Sequence, residues 1–165
     1  MKSILVTLFA VVFAVTSTMA QKAPASPKVV AESKNTVITY GQPSKKDREI
    51  FGKLVPYGQV WRTGANEATT VQFKSDVTFG GKKVKAGTYS LFTIPSENEW
   101  TIILNSELGQ WGAYKYNDIK KNNVAEVKVK ATNTASVMEK LTITTDDKKI
   151  TIGWDKTSVS VDTKF

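Results

Sequence analysis

Val71-Gln72-Phe73-Lys74-Ser75-Asp76-Val77-Thr78-Phe79-Gly80-Gly81 is the stretch on which the choice of fold rests. Valine and phenylalanine return at every second position except Ser75, and Gln72, Lys74, Asp76 and Thr78 fill the places between. Successive side chains of a strand point to opposite faces, so this pattern gives one apolar and one wet face. Paired glycines accept the positive φ angles of a tight hairpin turn, so Gly80-Gly81 predicts a return strand through Val84.

Further along, the same period recurs. Thr88 to Ile94 is apolar on both faces and reads as a central strand ended by Pro95. After a polar turn at Ser96 to Glu99, Trp100, Ile102 and Leu104 alternate with Thr101, Ile103 and Asn105. Ala125, Val127, Val129 and Ala131 face away from Glu126, Lys128 and Lys130, and Leu141 and Ile143 away from Thr142 and Thr144. Asp146-Asp147 turns the chain into Ile150, Ile152 and Trp154, and a last strand carries Val159 and Val161. With Thr36 to Tyr40, this predicts about eight or nine close-spaced strands, the pattern of an all-β sandwich or barrel. A single antiparallel β-sandwich is expected, with Trp100 and Trp154 in its core. Near residues 45–51 one short helical turn is expected, because Ser44 and Asp47 are spaced to cap it.

At the N-terminus Lys2 precedes the apolar run Ile4 to Val15, and Thr16 to Ala20 are mostly small. These are the three regions of a secretory signal peptide, so residues 1–20 are expected to be cleaved between Ala20 and Gln21. The product would be periplasmic or extracellular. Residues 21–33, with Pro24 and Pro27, read as a flexible leader, which leaves 34–165 as one all-β domain. No second long apolar stretch exists, so no membrane span is expected in the mature chain.

The chain has neither cysteine nor histidine. Disulfides and nucleophile pairs built on histidine are therefore impossible, and zinc or copper would have only carboxylates to bind. No phosphate-cradling glycine loop occurs either. We expect no metal and no cofactor. The net charge of +8 invites a nucleic-acid reading, but the lysines are scattered singly or in pairs such as Lys82-Lys83. That is the pattern of a solvated surface, and no nucleic-acid partner is expected.

Phe51 to Thr70 lacks alternation. Three glycines and Pro56 shape it as a loop, and it holds Trp61, Arg62, Thr63, Asn66 and Glu67. All but two of the 23 basic residues are lysines, and the two arginines, Arg48 and Arg62, fall at or beside this loop. A planar guanidinium holds a carboxylate or carbonyl in two directions, which an ammonium cannot. Arg62 either pairs with Glu67 and knits the loop internally, or faces a ligand.

Several segments strongly resemble the bacterial family catalogued as domain of unknown function 2911. They are Ile50-Phe51-Gly52, Leu54-Val55-Pro56-Tyr57-Gly58 and Val60-Trp61-Arg62-Thr63-Gly64-Ala65-Asn66-Glu67-Ala68-Thr69, and later Ala86-Gly87-Thr88-Tyr89-Ser90-Leu91-Phe92 and Gln110-Trp111-Gly112-Ala113-Tyr114. The resemblance runs from about Tyr40 to the C-terminus; Asp47 stands where the pattern often has glycine before the arginine. It implies a small exported all-β domain and assigns no activity.

Gln110 to Asp118 is a second candidate. Trp111 and Tyr114 stand there beside glycine and polar residues, which suits the apolar face of a sugar ring or packing against a sheet end. The residues therefore point first to a non-enzymatic binding or envelope-associated protein. Its ligand site would be the loop 57–70, with Arg48, Trp61, Arg62, Thr63, Asn66, Glu67, Trp111 and Tyr114 as candidate contacts. A glycan or a carboxylate-bearing molecule is the expected partner. The rivals are a small hydrolase or lyase using Glu67 and Asp118, and a purely structural envelope protein.

Overall fold

The structure, a computed structural model, describes residues 25–165. The expected signal peptide, its cleavage site and the first residues of the leader lie outside them.

Ten strands follow one another: β1 (Lys28–Glu32), β2 (Thr36–Gly41), β3 (Thr69–Phe73), β4 (Val77–Phe79), β5 (Lys82–Val84), β6 (Gly87–Ile94), β7 (Glu99–Asn105), β8 (Asn123–Lys130), β9 (Thr132–Thr145) and β10 (Lys149–Lys164). They form a six-stranded sheet in the order β1-β2-β3-β6-β7-β8 and a four-stranded sheet in the order β5-β4-β10-β9. Every pairing is antiparallel. The protein is an all-β sandwich.

Between the sheets lies the main core. Ile38, Val71, Phe73, Leu91, Trp100, Ile102 and Leu104 come from one side, and Phe79, Leu141, Ile143, Ile150, Ile152, Trp154 and Val161 from the other. Phe92 and Ile103, one residue out of phase, pack with Ala68 and Tyr116 on the outer face of the larger sheet. This second cluster explains why β6 is apolar on both faces, as a central strand should be.

The alternation from Val71 to Phe79 is real, but it belongs to two strands in two sheets. Lys74, Ser75 and Asp76 are all exposed and form the corner where the chain changes sheet. Asp76 fixes that corner by accepting the Ala86 N–H at 2.9 Å and the Lys85 ammonium at 2.8 Å, which ties the outward crossing to the returning one. Gly80 and Gly81 make the expected hairpin with φ of +51° and +83°, and Phe79 pairs with Lys82. The two C-terminal strands expected separately are one long strand, β10, whose register shifts around Asp155.

Two further expectations are corrected. The leader expected over 21–33 contains β1, which pairs along its length with β2 from Lys28↔Gly41 to Glu32↔Val37. Only the small Val29 and Ala31 face the core there, so the apolar signal is weak. Near residues 45–51 there is no helical turn. Lys46 and Asp47 both have positive φ, +49° and +59°, which a right-handed helix excludes. Lys45 N–H is instead spent on the Glu139 carbonyl at 2.7 Å, beside the Ser44↔Lys140 bridge to β9. The short helix is α1 (Tyr116–Ile119), followed by a 3-10 turn over Lys120–Asn122. Among the described residues no helix is long and apolar enough to cross a membrane.

Candidate functional site

Residues 42–68 join β2 to β3 and carry both arginines. The fixed point of this connection is Trp61, 9% exposed. Its backbone exchanges hydrogen bonds with Thr93 at 2.7 and 2.9 Å. Its indole stacks on Trp154 with centroids 6.0 Å apart and meets Phe51 and Trp100 edge-on. The indole N–H donates to the Gly64 carbonyl at 3.2 Å, so the core holds the turn that follows it.

Thr63 completes the anchoring from inside. It is fully buried, has φ of +56°, and its hydroxyl bonds the Trp61 carbonyl and the Thr93 hydroxyl. Thr69 donates its hydroxyl to the Thr63 carbonyl and its N–H to the Arg62 carbonyl. Ala65 N–H reaches the Gly41 carbonyl at 3.1 Å. The backbone of Arg62 is thus held on both sides by groups that cannot move without opening the core.

The Arg62 side chain is treated differently. It is partly buried, and its Nε–H has no acceptor among the described residues. Among the described residues no carboxylate pairs with either arginine. Arg48 is exposed and oriented by its own turn: Nε donates to the Lys45 carbonyl at 2.9 Å and Nη2 to the Ser44 carbonyl at 2.6 Å. Lys45 donates back to the Arg48 carbonyl. Arg48 and Arg62 both line one cleft of about 220 Å³, walled by Pro43, Leu54, Val55, Trp61 and Trp154. Tyr57 rests over Gly52 outside this lining. Burial, then the Glu97 and Glu49 carboxylates, raise the pKa of its phenol, so it is not a base at neutral pH.

The loop does not knit itself through Arg62 and Glu67. Asn66 has φ of +65°, and the Glu67 carboxylate beyond it sits 2.7 Å from the Lys28 ammonium. It lines a second groove of about 200 Å³ with Thr39, Thr70 and Gln110. The Asn66 amide donates to the Ser26 carbonyl. Asp118 lies exposed on α1. Trp111 and Tyr114 are 64% and 83% exposed on a separate loop, where Tyr116 rather than either of them enters the core. Of the eight candidate residues, the cleft gathers Arg48, Arg62 and Trp61; Thr63 is sealed inside, and the other four face elsewhere.

Sequence reasoning missed the apolar walls. Pro43 carries no signal, Leu54 enters only through the family resemblance, and Trp154 reads as core because it is core, 2% exposed, although it also lines the cleft. A larger hollow of about 370 Å³ lies between β4, β5 and Phe165. Its cations are Lys83, Lys85 and Lys164, with Lys85 paired to Asp76, so it lacks the guanidinium that distinguishes the arginine cleft. Among the described residues no group of three or more carboxylates stands together to hold a metal.

No curated protein and no solved structure matches the chain. Residues 22–163 match a family described as "Protein of unknown function (DUF2911)". With the match covering nearly the whole chain, including the arginine loop and both sheets, the protein belongs to the DUF2911 family.

Proposed function

We propose that this protein is a non-enzymatic binding protein, exported across a membrane by the segment 1–20, that takes a small carboxylate-bearing molecule into the arginine cleft. The observation that carries this reading is the Nε–H of Arg62, enclosed and without an acceptor. A buried donor left unpaired costs about 1–3 kcal/mol, which a bound water, ion or ligand that accepts from it would offset. Arg48 lines the same cleft. Two guanidinium groups favour an anion with planar, two-pronged geometry, which is a carboxylate.

The cleft also bounds the ligand. At about 220 Å³ it is smaller than the roughly 300–1,000 Å³ typical of drug-sized ligands. Leu54, Val55, Pro43 and the two indoles suit a compact apolar body behind the charged end. The rigid anchoring of Trp61 and Thr63 supports binding with little ordering cost.

Calorimetric titration with benzoate and hexanoate, against benzamide and hexanamide as neutral controls, tests this. The acids should bind and the amides should not, and Arg62→Leu should abolish the difference. Equal behaviour of acids and amides rules out the reading.

A further inference from the structure

On the far side of Glu67 a second loop carries a different chemistry. Trp111 is 64% exposed, whereas Trp61, Trp100 and Trp154 are 9%, 1% and 2% exposed. Single exposed apolar residues are ordinary, but this one is held in place. Trp111 pairs antiparallel with Glu67. Ala68 N–H donates to the Gln110 carbonyl at 2.9 Å, and Gly112 N–H to the Asn66 carbonyl at 3.1 Å. Directly paired residues of an antiparallel ladder project to one side, with Cβ atoms about 4.5–5.5 Å apart. The indole and the Glu67 side chain therefore leave this ladder on the same side. Gly112, with φ of +75°, lets the Tyr114 ring lie where a Cβ would be 2.6 Å from it, so a second ring is laid over the same turn.

Glu67 in turn lines the groove of about 200 Å³ with Lys28, Thr39, Thr70 and Gln110. The Lys28 ammonium and Glu67 carboxylate neutralise one another at 2.7 Å. What remains is a set of donors and acceptors with no net charge. A free ion gains little from a pair already neutralised. A polyol gains from both partners, because each hydroxyl donates and accepts. A pyranose also presents an apolar C–H face that needs an aromatic one. We propose that Trp111 and the groove beside Glu67 form a binding site for a neutral glycan, separate from the arginine cleft. An anionic membrane surface also attracts exposed tryptophan and tyrosine, but it gains nothing from a pair that is already neutral, whereas the donors and acceptors of the groove suit hydroxyls.

Trp111 is the one strongly exposed indole of the four, so acrylamide quenching of the protein's fluorescence reports on it. Cellohexaose and chitohexaose are titrated separately into the purified protein. At least one should reduce quenching saturably. By calorimetry Trp111→Ala should weaken that binding roughly ten-fold or more, since stacking is lost, while Arg62→Lys should leave it unchanged. Melting temperature checks that Trp111→Ala still folds, and Gln110→Ala, expected to weaken binding at the same groove, serves if it does not. Quenching unmoved by both sugars at millimolar concentration overturns the proposal, as does equal affinity in the variants of the groove. Protection by anionic phospholipid vesicles without protection by either sugar also overturns it, in favour of a membrane surface.

Discussion

The two carboxylate oxygens of Asp147, on the turn between β9 and β10, accept the backbone N–H of Asn35, on the turn between β1 and β2, at 3.0 and 3.2 Å. The hydroxyls of Ser33 and Thr36 bond the same carboxylate. One turn belongs to each sheet, so this single side chain ties the sandwich shut at that end. Desolvation acts to raise the pKa of Asp147, but the bonds from Ser33, Asn35, Thr36 and the Lys34 N–H outweigh it and hold the pKa below that of an ordinary aspartate.

A carboxylate whose pKa is lowered by folding stabilises the fold fully above its unfolded value, near pH 4. The contribution is lost as pH falls through the lower folded value. Asp147→Asn keeps the shape and tolerates the positive φ of +65°. It should cost about 1 kcal/mol at pH 7, the worth of a charge-assisted bond weakened to a neutral one. Urea unfolding at pH 7 and pH 3 measures this, and the gap between wild type and variant should narrow at the lower pH. A gap that widens on acidification contradicts the assignment.

Gly41 couples the fold to the arginine loop. A Cβ at this position would lie 2.1 Å from the Ala65 carbonyl oxygen, whose own N–H bonds the Gly41 carbonyl. The obstacle is backbone, so it cannot swing aside as a side chain could. Gly41→Ala should destabilise by roughly 1–3 kcal/mol, the usual cost of overpacking, and should weaken carboxylate binding by displacing residues 62–66. Urea unfolding and titration with benzoate measure the two effects, and a variant with wild-type values for both would show that the contact is not tight.

Trp61→Phe separates packing from hydrogen bonding. It keeps an aromatic ring against Trp154 and Phe51 but leaves the Gly64 carbonyl without the indole N–H it now accepts. The expected loss is about 1–2 kcal/mol in thermal unfolding, and the cleft should bind benzoate less tightly because Gly64 lines it.

The legible and illegible parts of this fold have physical reasons. Period two in Val71 to Phe79 correctly separates wet from dry side chains, yet it is blind to which sheet a strand joins. Ser75, the odd residue of the apolar set, marks the corner. Val29 and Ala31 bury too little surface to announce β1, which depends on its pairing with β2. Ser44 and Asp47 carry a helix-capping spacing, but Lys45 and Ser44 are drawn off to the edge of β9, a tertiary effect that local spacing does not encode. The scarcity of arginine singles out Arg48 and Arg62, and the fold brings the two to one cleft. Spacing leaves open whether Arg62 pairs with Glu67; in the fold Asn66 is left-handed and the Glu67 carboxylate meets Lys28 instead.

That separation makes the last prediction specific. If Arg62 and Glu67 paired inside the loop, Arg62→Lys would lose about 1–3 kcal/mol by leaving an acceptor unpaired. Glu67→Gln would add little in the double variant, since both changes would break one interaction. The structure places the Glu67 carboxylate on Lys28 instead and leaves the Arg62 Nε–H without an acceptor among the described residues. Arg62→Lys removes that enclosed donor and its desolvation penalty with it, so stability should fall by less than about 1 kcal/mol, or rise. Glu67→Gln breaks an exposed ion pair and should also cost about 0–1 kcal/mol. The two changes should sum within about 0.5 kcal/mol in the double variant, as for independent sites. Benzoate affinity should meanwhile fall roughly ten-fold in Arg62→Lys, because a lysine cannot hold a carboxylate in two directions, and should be unchanged in Glu67→Gln. Urea unfolding of the four proteins of this cycle, with a benzoate titration of each, decides the matter. A coupling energy above about 1 kcal/mol would restore the internal pair and remove the guanidinium from the cleft.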